Sequence, residues 1–237
     1  MIMTKVLPLA AALTMLSATA FANDWSGLYL GAEAGAQFSN TQFSLPGDED
    51  DVLLQSHNNK TSFIGGGIIG YNWVDGTTLF GIEADMTNGD KARVTACNVE
   101  DGCFTSEHDS FTTFNNVKTN WSGRLRARLG MTDGDMLYYA AAGYSRADTR
   151  LSLVGLCYDE TDPTVPTIYN FGRSKNLSGF NLAIGAERAL GEHFFVRVEY
   201  LYEDFGETTY KGAAPEWNDR RISIDHNDIR VAAAYKF

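Results

Sequence analysis

The sequence predicts an all-β chain, an eight-stranded antiparallel transmembrane up-and-down β-barrel. Three observations predict it. A secretory leader opens the chain, period-two hydrophobicity recurs in eight segments, and the connections between them alternate between very short and very long.

The leader has a short positive region at Lys5, an apolar core from Val6 to Leu16, and small residues at Ala20 and Ala22. That is the secretory pattern, and the apolar run is too short to cross a bilayer as a helix. Residues 1–22 are therefore expected to be a signal peptide and residues 23–237 one outer-membrane barrel domain.

Charge and composition narrow the partners. The chain of 237 residues holds 30 acidic and 19 basic residues, a net charge of −11. Without Lys5 the balance is 18 basic against 30 acidic residues, near −12. Nothing basic is concentrated enough to replace phosphate counterions, so nucleic acid is excluded as a partner. No later stretch approaches 18 consecutive apolar residues, so no transmembrane helix is expected. An exported chain of this kind is periplasmic, secreted or inserted as a barrel. Three cysteines fit an oxidising compartment without forming a disulfide scaffold. Cys97 and Cys103 lie six apart in a polar stretch suited to a local bridge; Cys157 is either a free thiol or a partner of one of them.

The eight segments justify the strands in order. From Gly27 to Phe38, Leu28, Leu30, Ala32, Ala34, Ala36 and Phe38 alternate with Tyr29, Glu33 and Gln37. Strict alternation marks a strand with one apolar face. Ser62 to Trp73 carries Phe63, Ile69, Tyr71 and Trp73 on one parity. Thr77 to Met86 alternates Phe80, Ile82, Ala84 and Met86 with Gly81, Glu83 and Asp85. From Asn120 to Met131, Trp121, Leu125, Ala127, Leu129 and Met131 oppose Ser122, Arg124, Arg126 and Arg128. Three arginines on one strand face are costly to bury unless acids meet them. Met136 to Arg146 is a strand whose faces the pattern leaves unassigned. Ser178 to Leu190 sets Phe180, Leu182, Ile184 and Ala186 against Asn181 and Glu187. Phe194 to Phe205 sets Val196, Val198, Tyr200 and Tyr202 against Arg197, Glu199 and Glu203. Ile229, Val231, Ala233, Tyr235 and Phe237 close the chain against Asp228, Arg230 and Lys236.

Three connections have about three to four residues and four have about 15 to 30, which is how transmembrane barrels separate periplasmic turns from extracellular loops. The polar faces hold Glu33, Glu83, Asp85, Glu187, Glu199 and Glu203 beside Arg124, Arg126, Arg128, Arg197 and Arg230. These near-balanced charges can pair inside an eight-strand lumen, just wide enough for side chains to fill. Apolar faces then meet lipid. Trp25, Tyr71, Trp73, Tyr200, Tyr202, Tyr235 and Phe237 are expected at strand ends as interfacial girdles. The last strand, with its terminal Phe237, resembles the C-terminal signal read by the barrel assembly machinery.

Several motifs carry a family resemblance: Trp25-Ser26-Gly27-Leu28-Tyr29-Leu30-Gly31, Gly65-Gly66-Gly67-Ile68-Ile69-Gly70-Tyr71-Asn72-Trp73, and Trp121-Ser122-Gly123-Arg124-Leu125-Arg126-Ala127-Arg128. Further on come Arg197-Val198-Glu199-Tyr200 and the ending Tyr235-Lys236-Phe237. The chain resembles the porin-family small outer-membrane barrels of α-proteobacteria over essentially its whole length past the leader. This group includes the Brucella major surface antigens and the Bartonella haemin-binding proteins. The resemblance implies an OmpA-like transmembrane barrel; the chain is expected to depart from full OmpA in lacking a C-terminal peptidoglycan-binding domain, since no sequence follows the last strand.

No catalytic, cofactor-binding or metal site is expected, and the protein is not read as an enzyme. His57, His108 and His226 fall in or beside long stretches and His193 in a short turn. A Ser56–His226–Asp225 hydrolase can be drawn, but its spacing matches no motif. Asp48, Glu49, Asp50 and Asp51 lack the ligand alternation of a calcium loop. The expected function is a structural, surface-exposed outer-membrane protein with a mostly closed lumen. The alternatives are a loop receptor for haemin, using His57 and His108, or for a host ligand, and a lipid-modifying barrel enzyme. Expected partners are outer-membrane lipid, lipopolysaccharide and the assembly machinery.

Overall fold

The computed structural model describes residues 24–46, 52–88, 91–93, 105–106, 109–159, 162–210 and 220–237. Eight long strands form the wall: β1 (Gly27–Pro46), β2 (Val52–Asp75), β3 (Thr78–Asn88), β4 (Asp109–Asp133), β5 (Met136–Asp159), β6 (Asp162–Ala189), β7 (Phe194–Tyr210) and β8 (Arg220–Lys236). Each pairs antiparallel with its sequence neighbours, and β1 pairs with β8 from Tyr29↔Lys236 to Ser44↔Arg221. The sheet is thus closed. Two short ribbons, Lys91–Arg93 and Thr105–Ser106, add to the outer part of β4. Among the described residues no helix is long and apolar enough to cross a membrane.

Closure follows from where these backbones lie. In hydrocarbon a peptide group finds no partner but another peptide group, so a sheet persists there only without an edge. The side chains obey the same solvent. Leu125 is 61% exposed while the next residue, Arg126, is 2% exposed. The alternation holds on every wall strand, with Leu30, Ile82, Ile184, Val198 and Val231 outward and Glu33, Glu83, Glu187, Glu199 and Arg230 inward. β5, unassigned by pattern, points Leu137, Tyr139 and Ser145 inward and Tyr138 and Tyr144 outward.

The outward apolar band spans about ten residues per strand, roughly 25 Å of height for tilted strands. It runs from Met131 to Trp121 on β4 and from Phe237, just past the end of β8, to Ile229. Three tight connections lie at one rim: Gly76-Thr77, Gly134-Asp135, and residues 190–193. At the other rim the strands continue well past the band, and here the sequence reading is corrected. The pattern begins β2 at Ser62, β4 at Asn120 and β6 at Ser178 and ends β5 at Arg146; the structure begins them at Val52, Asp109 and Asp162 and ends β5 at Asp159. Beyond the bilayer the outward face meets water and turns polar, while Ala147, Leu177, Ile222 and Ile224 are buried inward. Pairing continues there without the apolar-outward alternation that marks the wall.

Candidate functional site

The lumen holds the molecule's densest chemistry, stacked in layers. At the turn end, Trp25, Tyr29, Leu79, Leu137 and Phe195 form a buried apolar plug. Tyr29 meets Phe195 edge-on at 5.4 Å, and the Trp25 indole lies 6.0 Å from Phe195. The Trp25 indole N–H points to the Gly134 carbonyl at 3.4 Å. Trp25 is therefore a plug residue, 2% exposed, and not part of the interfacial girdle in which the sequence reading placed it. Its odd parity with Tyr29 sends it inward. Tyr71, Trp73, Tyr235 and Phe237 do face outward. Just outside the plug, the Ser26 amide donates to Asp24 Oδ1 at 2.8 Å and holds that carboxyl below its ordinary range.

Above the plug, all eleven charged residues named from the strand faces come together. Arg124 donates to both oxygens of Glu203, at 2.8 and 3.0 Å, and to Asp85 at 2.8 Å. Arg126 bridges Glu199 at 2.9 Å and Glu83. Arg128 bonds Glu187 and the Tyr29 hydroxyl, the latter at 2.5 Å. Arg197 joins Glu187 at 2.8 Å to Glu83 at 2.5 Å. Arg230 reaches Asp228 at 2.5 Å and both Glu33 and Asp85 at 3.3 Å. Guanidinium forks suit such shared carboxylates because each presents five donors in one plane. Burying a charge costs several kcal/mol unless it is paired, and here every arginine meets at least two partners.

Two tyrosines complete the layer. Tyr29 donates to Glu83 at 2.5 Å and Tyr139 to Glu199 at 2.6 Å, while the Arg128 guanidinium lies 4.0 Å from the Tyr139 ring centre. Both rings lie over glycines. A Cβ on Gly70 meets the Tyr29 hydroxyl at 2.2 Å, and one on Gly185 meets that of Tyr139 at 2.5 Å. Any side chain at either position displaces the phenol from its carboxylate.

At the upper end sits His226, 3% exposed, with Nδ1 3.3 Å from Glu203 and its ring edge-on to Phe205 at 5.6 Å. The sequence suggests a solvated loop residue; in the structure it is an inward residue of β8, on the parity of Asp228 and Arg230. The drawn Ser56–His226–Asp225 triad fails accordingly. Asp225 is on the opposite face of β8, where it accepts from Asn40 at 3.1 Å. Ser56 and His57 lie on β2, opposite Phe43 and Gln42, rather than in a loop. Buried Ala147, Leu177, Phe205, Ile222 and Ile224 face inward at this level. Cys157 is on β5, paired with Thr167. Residues 1–22, expected to be a signal peptide, and Asp48 to Asp51, Cys97, Cys103 and His108 lie outside the described residues. Among the described residues no three His, Cys, Asp or Glu gather as a metal site.

A closed sheet that is greasy outside and ionic inside defines an integral outer-membrane β-barrel. The chain belongs to the family described as "Outer membrane protein beta-barrel domain", whose model matches residues 9–237. It is 27% identical over 229 residues to the 31 kDa outer-membrane immunogenic protein of Brucella melitensis, covering 90% of this chain and 84% of that one. The 25 kDa outer-membrane immunogenic protein of Brucella abortus is 27% identical over 249 residues, covering 96% and 95%. The 22 kDa outer membrane protein of Rhizobium leguminosarum is 26% identical over 217 residues, covering 91% and 80%. Among solved structures, the outer membrane protein OprG from Pseudomonas aeruginosa aligns with a TM-score of 0.53 at 10% identity, over 91% of this chain and 98% of that one. That likeness is one of fold. The protein resides in the outer membrane.

Proposed function

We propose that the protein is a structural, surface-exposed anchor of the outer membrane, with a sealed lumen and no enzymatic activity. The observation that carries this reading is the lumen itself, where arginine–carboxylate clusters fill the bore above an aromatic plug. Eight strands leave room for side chains and little else. The barrel then serves to hold the strand extensions above the bilayer, where the surface meets the environment or a host. The names of the Brucella relatives, outer-membrane immunogenic proteins, support that surface role. Its partners in this reading are lipid and lipopolysaccharide along the wall and the assembly machinery at Phe237. Haemin capture has weaker support: of the two histidines expected for it, His57 lies on β2 opposite Gln42 and His108 lies outside the described residues. Planar-bilayer recording of the refolded protein tests the sealed lumen. We expect little or no conductance; large, steady openings from the monomer defeat the reading.

A further inference from the structure

The rim above the lipid band is chemically lopsided. On β5, Arg146, Asp148 and Arg150 continue the outward face begun by Tyr138 and Tyr144, and on β4 Lys118 directly opposes Arg150 in the ladder. Lys118, Arg146 and Arg150 are all exposed, and among the described residues none has a partner for its side-chain charge. By contrast, the five lumen arginines are all paired. The rim's Arg221, on β8, lies 3.8 Å from Glu207. Like charges directly opposite on one strand pair repel, so Lys118 beside Arg150 weakens the sheet unless an anion lies between them.

The surroundings suit an anion with a lipid attached. Arg146 stands one outward step above Tyr144, at the top of the apolar band, which is the headgroup level of the outer leaflet. Its β4 neighbour is Gly123, which offers no side chain, and the Trp121 ring lies 3.3 Å from where a Cβ would sit. The adjoining β6 positions are Ser178, Asn176 and Ser174, all neutral donors. The one carboxylate on this face among the described residues, Asp148, accepts from Asn120 Nδ2 at 2.8 Å. Across the barrel, the matching level carries Asp204 and Asp225, paired with each other in the β7–β8 ladder. A phosphate group is therefore drawn to the β4–β5 wall and repelled from the β7–β8 wall.

We infer that the outward β4–β5 face is a binding site for the phosphorylated headgroup of lipopolysaccharide, with Lys118, Arg146 and Arg150 as its cations and Trp121 and Tyr144 against its acyl chains. This deepens the lipid-partner reading above and rests on it. Arginine matches a phosphate with paired donors and lysine adds a point charge. The site fixes one rotational face of the barrel against the ordered glycolipid leaflet.

The test uses the refolded full barrel in neutral detergent, titrated with fluorescent lipopolysaccharide and with the same lipid after enzymatic dephosphorylation. We expect K118Q/R146Q/R150Q to bind the phosphorylated lipid about tenfold or more weakly than the unaltered protein, in line with the attraction of several cations to an anionic surface. Dephosphorylating the lipid should cost the unaltered protein as much and the variant little. R221Q, a rim cation outside the site, should bind as the unaltered protein does. A folded triple variant that keeps full affinity overturns the site, as does an equal loss in R221Q. Failure of the unaltered protein to retain either lipid overturns the lipid-partner reading itself. Gel heat-modifiability verifies folding, and the dephosphorylated-lipid arm needs no variant.

Discussion

Arg126 shows how strongly single residues are committed. Its guanidinium lies between Glu199 and Glu83, with Asp85 3.3 Å away, and all four side chains are fully buried. Arg126→Met leaves those carboxylates facing each other without their cation. The expected loss is about 3–5 kcal/mol of barrel stability, the usual cost of orphaning a buried charge. Arg126→Lys, which keeps the charge and loses the fork, should lose less. Urea unfolding in lipid vesicles reads both, and an unshifted midpoint for Arg126→Met shows that the cluster is not what holds the lumen. At this scale much was legible, because parity alone assigned the six acids and five arginines. Trp25 and His226 were missed although parity was available for both. An indole or imidazole suits an interface as well as a lumen, so composition argued one way while register, counted outward from Tyr29 or Arg230, argued the other.

Elements divide at the top of the lipid band. Below it each strand is held on both sides and its outward face is fixed by hydrocarbon. Above it β6 from Asp162 to Gly179 pairs with β5, while its pairing with β7 begins only at Phe180↔Asp204. The projection of β5 and β6, flanked on its other side by β4 as far as Ser110↔Tyr158, is therefore an appendage of the wall. Replacing residues 153–171 with a two-residue turn should leave the folded gel mobility and the urea midpoint of the barrel unchanged, since Met136 to Ser145 keep both ladders. Loss of the folded species on that excision shows that the projection templates the wall. The same division explains why the strand ends were read too short. Above the band the outward face is polar and side chains such as Ile222 and Ile224 are buried inward, so the apolar-outward period that marks the wall stops while the hydrogen bonds go on.

For the whole molecule the controlling fact is closure. Ladders of β1 with β8, running from Tyr29↔Lys236 to Ser44↔Arg221, remove the last free edge, so no strand can peel away singly without exposing peptide groups to hydrocarbon. Strand number and closure were legible from eight alternating segments and the rhythm of their connections; the layered lumen was not, because it depends on which strands face one another across the bore, and the lopsided rim was not, because Lys118 and Arg150 lie on strand extensions past the alternating segments. Closure predicts all-or-none behaviour in detergent. The unheated protein should migrate on a denaturing gel as a compact species and shift on boiling. Removing residues 220–237 takes away β8 and leaves most of the apolar surface in place. If hydrophobicity alone resisted the detergent, the truncated chain would still show two mobilities. Because closure does, it should run as a single unfolded band before and after boiling. A heat-dependent shift in the truncated chain, or none in the intact one, contradicts a closed barrel.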